Sequence, residues 1–157
     1  MKHLFIDMDG TILPIVGFNG KITIENWDID GLFNRNEPIY ENIEAIEQMF
    51  AREDYTYHIL SAVPTVRAIR EKEEWLNQYY PLGNRHYVEF QRQTKGSFIY
   101  QYCRQNNINT EDCTLVDDEL HNLIDVEKYG VKAIHISYVL SEKNAKTKCK
   151  KSSKRRI

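Results

Sequence analysis

The chain begins with the stretch MKHLFIDMDGTILP (residues 1–14), in which a hydrophobic run leads into the five residues DMDGT. The run KHLFID (residues 2–7) is typical of a buried β-strand, and Asp7 and Asp9 stand two positions apart at its end. Because residues i and i+2 of an extended chain face the same way, both carboxylates can address one site as the chain leaves the sheet. Gly10 allows the backbone to turn and to approach a ligand closely. The stretch therefore predicts a strand that ends in a site built from two carboxylates.

Beyond this stretch, short β-rich runs alternate with segments whose apolar residues recur at helical spacing. The strand candidates are residues 2–7, 55–60, 86–90, 113–118 and 131–137. The helical candidates are residues 40–50, 66–79, 98–103 and 120–126, the last followed by Gly130 as a helix-ending residue. Such alternation is the pattern of βαβ units. The sequence therefore predicts an α/β domain with a doubly wound parallel sheet.

The segment IVGFNGKITI (residues 15–24) differs from this pattern. Its central Asn19-Gly20 pair lies between two β-prone flanks, which is a strong signal for a type I′ turn. We expect a short β-hairpin flap just after DMDGT.

Composition limits the class of protein. The chain has 157 residues and is 41% hydrophobic, which suits one globular domain. No apolar run approaches the roughly 18 residues needed to span a bilayer, and no signal-peptide pattern is present, so a cytoplasmic protein without membrane contact is expected. Cys103, Cys113 and Cys149 are odd in number and lack metal-ligand spacing, which favours reduced thiols.

Charge is unevenly distributed along the chain. Residues 143–157 hold eight of the 21 Lys and Arg and no acid, so the remaining body carries 13 basic against 23 acidic residues, a formal charge of −10. We predict a domain over residues 1–140 and a basic, flexible tail over residues 141–157. An acidic body does not attract nucleic acid, whereas the tail offers a weak contact to it.

Polar side chains follow several of the predicted strands. The second strand leads into Ser61 and the fourth ends in Asp117-Asp118, while Lys95 begins the helical segment after the third. Ligands bind at the carboxyl ends of the strands in open parallel sheets. Together with Asp7, these ends offer carboxylates, a hydroxyl and an ammonium, a set suited to a phosphate and a divalent cation.

Chemistry can be assigned to the first pair of acids. An ionised Asp7 can attack phosphorus without a base, provided that a cation offsets the repulsion between carboxylate and phosphate. Asp9 can then protonate the leaving oxygen and later activate the water that hydrolyses the aspartyl phosphate.

These residues resemble the haloacid dehalogenase (HAD) superfamily of phosphotransferases over roughly residues 2–140. The four motifs of that family occur in order as DMDGT (residues 7–11), Ser61, Lys95 and LVDDELHN (residues 115–122). The resemblance implies a Rossmann-like fold of HAD type and phosphatase activity.

The resemblance also implies roles for single residues. Asp7 is the nucleophile, and Asp9 is the acid/base that also binds the metal through its backbone carbonyl. Thr11 stabilises the site locally, and Thr11, Ser61 and Lys95 hold the phosphate of the substrate.

Mg²⁺ is the implied cofactor, with Asp7, Asp9, Asp118 and Asp117 at its site. Asp118 matches the usual metal-binding acid and Asp117 supports it. Asn122 stands where many members of the family place another acid.

Within the superfamily, the 5′(3′)-deoxyribonucleotidase branch is the most similar in appearance. The segment GLFNRNEPIYENIEAIEQM (residues 31–49) resembles it, as does the pair Glu71-Lys72 shortly before Trp75. Only about twenty residues separate DMDGT from GLFNR, and the predicted hairpin uses half of them. The nucleotidases insert a helical cap at this place, so the sequence departs from the branch here. We expect little or no cap, and a pocket that discriminates poorly among leaving groups.

The expected function is Mg²⁺-dependent hydrolysis of phosphomonoesters through an aspartyl phosphate, with nucleoside (deoxy)monophosphates as the favoured substrates. One alternative is an open-site phosphatase that acts on nucleic-acid phosphate ends or another macromolecule. The other is a non-catalytic nucleic-acid-binding or regulatory module, although such a module has no need of both Asp7 and Asp9. The order of the acids disfavours a receiver domain, and the absence of GxxxxGK[ST] excludes a P-loop NTPase.

The five histidines are scattered along the sequence. His3, His58 and His135 fall within predicted strands, where packing explains them. His121 lies beside the fourth motif and is expected to point away from the site.

Overall fold

The computed structural model describes residues 1–14 and 29–153, with side chains up to residue 145. Its strands are β1 (Lys2–Ile6), β2 (Tyr55–Val63), β3 (Asn84–Glu89), β4 (Cys113–Asp117) and β5 (Lys132–His135). Its helices are α1 (Tyr40–Phe50), α2 (Val66–Tyr79), α3 (Lys95–Asn106), α4 (Leu120–Glu127) and α5 (Ile136–Ser153). The strands pair in parallel in the order β3-β2-β1-β4-β5, which confirms the predicted fold class.

The sheet is buried on both faces. Along β1, Leu4 and Ile6 pack into a core shared with α1, α2 and α5, whereas Phe5 packs into a second core shared with α3 and α4. Alternation of this kind is what a strand covered on both sides requires. The chain therefore winds helices onto both faces of the sheet.

Most boundaries agree with the sequence pattern. Helices α1 and α2 have the predicted bounds, and Gly130 adopts a φ of +79° just beyond α4. Strand β2 continues to Val63, three residues beyond the prediction, so Ser61 lies within the strand. Helix α3 begins at Lys95 because the side chain of Thr94 accepts a hydrogen bond from the Ser97 backbone N–H at 3.2 Å.

The C-terminal end differs from the expected organisation. Strand β5 ends at His135, and α5 crosses the predicted boundary at residue 140. Ile136 and Val139 of α5 are buried in the core, and Lys143 forms an ion pair with Glu44 of α1 at 2.9 Å. The flexibility of residues 141–157 stays a prediction.

The predicted hairpin (residues 15–24) lies outside the described residues, so the flap and the minimal cap stay predictions. Within the described part of the chain, none of the helices combines the length and the apolar character needed to cross a membrane.

Candidate active site

Three carboxylates meet where β1 and β4 end side by side. Asp7 follows β1, and Asp117 and Asp118 close β4, which pairs directly with β1. Carboxylate oxygens of the three residues lie within 4.8 Å of one another. Asp7 is only 4% exposed and Asp117 is fully buried, so these acids are largely withdrawn from water. Such a cluster requires cations.

Lys95 supplies one of these cations. Its buried ammonium group donates hydrogen bonds to Asp7 Oδ1 and, at 2.7 Å, to Asp117 Oδ2. Thr11 Oγ1 donates to the other oxygen of Asp7 at 3.2 Å. Because both oxygens of Asp7 have a donor, the orientation of this carboxylate is fixed.

Burial governs the protonation of this cluster. Burial, together with the neighbouring Asp117 carboxylate, raises the pKa of Asp7 well above its usual range. Burial and Asp117 also raise the pKa of Asp118. For Lys95, burial opposes the charge, but attraction by Asp7 and Asp117 outweighs it and raises the pKa. The raised pKa values of Asp7 and Asp118 indicate that Lys95 alone does not offset the negative charge of the cluster. A bound cation would offset the remainder.

Asp118 reaches the site because Gly10 has no side chain. Gly10 has a φ of +78°, and a Cβ atom there would lie 2.2 Å from Asp118 Oδ2. The backbone carbonyl of Asp118 lies 2.9 Å from His135 Nε2 at the end of β5. His135 thus contacts a site residue, a role that its place in a predicted strand did not indicate.

Lys72 contacts the candidate site, although the sequence motifs did not assign it. It is fully buried, and its ammonium group donates to Asp9 Oδ2 at 2.5 Å, to Ser61 Oγ at 2.7 Å and to the Ala62 carbonyl at 2.9 Å. Three acceptors match the three donors of an ammonium group. Burial lowers the pKa of Lys72, although the Asp9 carboxylate opposes this effect. Lys72 therefore joins the end of β2 to Asp9, the second of the two acids in DMDGT.

Residues of α2 near Lys72 bind the segment that begins at residue 29 and leads to α1. Glu71 accepts hydrogen bonds from the backbone N–H groups of Gly31 at 2.7 Å and Phe33 at 3.2 Å. Trp75 Nε1 donates to the Asn36 carbonyl at 2.7 Å. The Glu-Lys pair before a Trp, noted in the sequence only as a resemblance, was the signal that could have identified Lys72.

Asp9 differs from Asp7 in that one of its oxygens is left over. Oδ2 is held by Lys72, whereas Oδ1 is buried and has no hydrogen-bond partner within residues 1–14 and 29–145. A buried carboxylate oxygen without a partner is costly, and such groups often mark a functional site. Oδ1 is therefore an acceptor that the described residues leave for a ligand.

Asp7, Asp9, Lys95 and Asp118 line one cavity of about 650 Å³. Its other described lining residues come from the ends of β2 and β3, the loop that joins β3 to α3, and the start and face of α4: Ala62, Val88, Phe90, Gln91, Arg92, Gln93, Thr94, Glu119, His121, Asn122, Asp125 and Lys128. His121 also lines the cavity, and its largely exposed imidazole lies 3.1 Å from Glu119 through Nδ1; the direction expected for it stays a prediction. Asn122 contacts the acid cluster, because its Nδ2 donates to both oxygens of Asp117 at 3.2 and 3.3 Å.

Two predicted phosphate ligands, Ser61 and Thr11, already have hydrogen-bond partners in the site. Ser61 and Thr11 are fully buried and do not belong to the wall that the described residues form around the cavity. Ser61 Oγ is occupied by Lys72, and Thr11 Oγ1 by Asp7. Phosphate binding by their side chains stays a prediction, whereas a local stabilising role for Thr11 agrees with its contacts.

The site is compatible with a divalent cation. Four carboxylates, those of Asp7, Asp9, Asp117 and Asp118, face the two ammonium groups of Lys72 and Lys95. The formal charge of this set is −2, which one Mg²⁺ would balance. Carboxylate oxygens are the ligands that Mg²⁺ prefers, and the space above Gly10 lets Asp118 approach.

Comparison with known proteins bears on the fold. No protein-family model and no curated protein matches the sequence. A chain of the Pnkp1/Rnl/Hen1 RNA repair complex aligns with a TM-score of 0.57 at 15% identity, over 85% of this chain and 42% of its own. An L-2-haloacid dehalogenase aligns with a TM-score of 0.54 at 12% identity, over 85% of this chain and 83% of its own.

The D,D-heptose 1,7-bisphosphate phosphatase from Burkholderia thailandensis aligns with a TM-score of 0.52 at 14% identity, over 83% of this chain and 75% of its own. The fold is that of HAD hydrolases. Since a phosphatase and a dehalogenase both have this fold, the fold alone does not define the reaction. The chain spans less than half of the RNA repair chain that it matches.

Proposed function

We propose that the protein is a Mg²⁺-dependent phosphomonoester hydrolase that works through an aspartyl phosphate on Asp7, with nucleoside monophosphates as substrates. The observation that carries the proposal is the contrast between the two acids at the cavity. Asp7 has donors on both oxygens, whereas Asp9 is held by Lys72 through Oδ2 and its Oδ1 has no partner among the described residues. One acid is positioned to form a bond and the other to move a proton.

In the first half of the reaction, a carboxylate oxygen of Asp7 attacks phosphorus. A bond forms between Asp7 and phosphorus while the bond from phosphorus to the leaving oxygen breaks, and Asp9 gives its proton to that oxygen. Lys95 and Thr11 hold Asp7 in place during the attack.

In the second half, Asp9 removes a proton from a water molecule. The water oxygen attacks phosphorus, the bond to Asp7 breaks, and inorganic phosphate leaves. Lys72 holds Asp9 in both halves through its bond to Oδ2. Proton transfer of this kind contributes ~10²- to 10⁴-fold to the rate.

Asp7, Asp118 and the backbone carbonyl of Asp9 would hold Mg²⁺, with Asp117 in support. Bound there, the ion offsets the repulsion between the carboxylates and the substrate's phosphate. Lys95, which lines the cavity, and the hydroxyls of Ser61 and Thr11 are our proposed phosphate ligands.

A panel of phosphomonoesters, assayed with and without Mg²⁺, tests the proposal. It contains nucleoside 5′- and 3′-monophosphates, sugar phosphates and oligonucleotides with terminal phosphates. Asp7→Asn should abolish turnover while circular dichroism shows an intact fold, and Asp54→Asn, which changes an exposed acid, should behave like the wild type.

Three results would contradict parts of the proposal. Near wild-type activity in Asp7→Asn excludes the covalent mechanism. Full activity after exhaustive treatment with EDTA excludes the metal. Preference for oligonucleotide ends over free nucleotides replaces the substrate with the macromolecular alternative.

A further inference from the structure

The loop that joins β3 to α3, residues 90–94, forms one wall of the cavity beyond the catalytic acids. Backbone hydrogen bonds fix it: Phe90 N donates to the Val63 carbonyl at 3.0 Å, and Arg92 N and Gln93 N donate to the Glu89 carbonyl at 3.0 and 3.2 Å. The loop is therefore a shaped part of the site, anchored to β2 and β3.

Gln91, in this loop, has an unusual backbone conformation. Its φ is +65°, in the left-handed region that residues other than glycine rarely adopt. Among the described residues, Asn107 is the other non-glycine residue with a positive φ, and it closes α3 as its C-cap. Gln91 closes no helix. Strained residues of this kind cluster at ligand sites, and Gln91 lines the cavity.

The chemistry of this wall suits a flat, polar-edged group. Phe90 is 37% exposed and lines the cavity, as do the aliphatic residues Ala62 and Val88. The amides of Gln91 and Gln93 lie in the same loop, and an amide can both donate and accept hydrogen bonds. Gln93 Nε2 donates to Gln101 Oε1 at 3.1 Å, which leaves the Gln93 carbonyl oxygen to face a ligand. An aromatic face beside amide groups is the combination that binds a heteroaromatic ring.

The charges of the wall disfavour a second phosphate on the substrate. Beyond the catalytic residues, the lining cations Arg92 and Lys128 are matched by the lining acids Glu119 and Asp125, so their formal charges cancel. Arg92 also forms an ion pair with Glu89 at 3.0 Å. The leaving group that fits this wall is therefore planar and close to neutral.

We propose that this part of the cavity is the leaving-group subsite, in which Phe90 stacks on a nucleobase and Gln91 and Gln93 hydrogen-bond to its edge. The inference rests on the proposed function, because it names the residues of the same site that select the nucleoside. It also places selection on the loop after β3. The sequence suggested instead that an open pocket would select poorly.

The test compares kcat and KM for a nucleoside monophosphate, a sugar phosphate and glycerol phosphate, with Mg²⁺ and the full chain. Glycerol phosphate has no ring to stack and reports on the catalytic acids alone. Phe90→Ala should lower kcat/KM for the nucleotide by about tenfold to a hundredfold, mainly through KM, because loss of a stacking partner has effects of this size. Activity on the other two substrates should stay within about twofold, and Phe90→Trp should retain the nucleotide activity.

Two further variants complete the experiment. Gln91→Gly should fold at least as well as the wild type, because glycine is favoured at this φ, and should also lose nucleotide activity selectively. Tyr138→Ala changes an exposed aromatic residue on α5 outside the cavity and should have no effect.

The outcomes separate the two proposals. A wild-type protein that hydrolyses none of the three substrates overturns the proposed function and the subsite with it. A wild-type protein that is active, with Phe90→Ala either unchanged or equally impaired on all substrates, overturns the subsite and leaves the proposed function standing.

Discussion

Gly10 and Gly130 have nearly the same backbone conformation but different surroundings. Their φ values are +78° and +79°. A Cβ atom on Gly10 would lie 2.2 Å from Asp118 Oδ2, whereas one on Gly130 would meet, among the described residues, Thr110 Oγ1 at 3.3 Å. The two glycines therefore separate the cost of backbone strain from the effect of crowding the site.

We predict that Gly10→Ala and Gly130→Ala each lose about 1–2 kcal/mol of unfolding free energy, because both place a side chain in the left-handed region. Gly10→Ala should in addition lose about a hundredfold in activity, since a small displacement of Asp118 misplaces a catalytic group. Urea unfolding and steady-state assays measure the two effects. Equal activity in the two variants would show that Asp118 need not approach Gly10.

Lys72 and Asp9 form a largely buried ion pair, and either partner can be substituted separately. Lys72→Met leaves the Asp9 carboxylate without its cation, which in buried pairs costs about 3–5 kcal/mol. We predict that the double variant Lys72→Met/Asp9→Asn is more stable than the sum of the single effects implies, with a coupling of about 0.5–3 kcal/mol.

Denaturant unfolding of the four proteins measures this coupling. Lys132→Met, which changes an exposed lysine on β5, is the matched control for loss of a charge. Additive effects of the two substitutions would mean that the contact between Lys72 and Asp9 contributes nothing to stability.

At the residue scale, the sequence predicted those site residues whose positions depend only on their neighbours in the chain. Asp7, Asp9 and Gly10 lie within four consecutive residues, and the strand that precedes them determines where the two carboxylates point. Lys72 was not assigned, because a lysine in the middle of a helix normally lies at the surface, and only the packing of α2 brings it to Asp9. Ser61 lies near the site as expected, but its contact with Lys72 is a tertiary one that spacing cannot show.

At the scale of elements, three neighbouring strands carry a row of histidines. His3 Nδ1 lies 3.0 Å from His58 Nε2, and His58 Nδ1 lies 3.0 Å from His86 Nε2. His3 and His58 are buried, and Phe5 stacks on the His58 ring with centroids 4.4 Å apart. Neutral imidazoles satisfy such a row when each donates to the next in one direction. Packing, which the sequence suggested for His3 and His58, accounts for the row only in part, because strand register also brings the rings into hydrogen-bond contact.

The row should make the sheet sensitive to acid. Burial, with the neighbouring histidines, lowers the pKa of His58 to about 3, from an ordinary value of 6.5. The unfolded chain binds a proton at this site as the pH falls below 6.5, and the folded chain does not. The contribution of His58 is therefore fully present above pH 6.5 and is lost progressively as the pH falls toward 3.

We predict that the unfolding free energy of the wild type, compared with that of His58→Phe, falls by up to about 1.4 kcal/mol per pH unit between pH 6 and pH 4. Taking the difference between the two proteins cancels the opposite trend of the buried carboxylates. Urea titrations at several pH values give the slope, and His121→Gln, at a residue 72% exposed, serves as the control. Parallel pH profiles for wild type and His58→Phe would show that His58 titrates alike in the folded and unfolded chains.

At the scale of the whole molecule, the sequence predicted the sheet but not helix α5, which follows the last strand. The sheet follows from β-rich runs that are each long enough to recognise. Helix α5 was missed because its apolar residues, Ile136, Val139 and Leu140, lie across the end of a predicted strand and the start of the basic segment. Neither side of that boundary shows the helical period by itself. Apart from Ile134 on β5, the core that these residues enter comes mainly from α1, α2 and the strands β1, β2 and β4, which are remote in sequence.

The last prediction follows from the position of α5 and concerns where the chain can be truncated. Truncation after Ala145 removes most of the basic residues of the tail. It keeps the buried Val139 and the ion pair of Lys143 with Glu44. Such a protein should hydrolyse a small phosphomonoester as the wild type does, and any nucleic-acid contact that it loses should be one that salt also weakens steeply. Truncation after His135 exposes the core, at a cost of about 1.5–3 kcal/mol for each large apolar side chain, and should leave a protein that is unfolded or much less stable. Thermal unfolding and assays at high salt distinguish the two. If truncation after Ala145 abolished hydrolysis at high salt, the basic segment would belong to the catalytic domain itself.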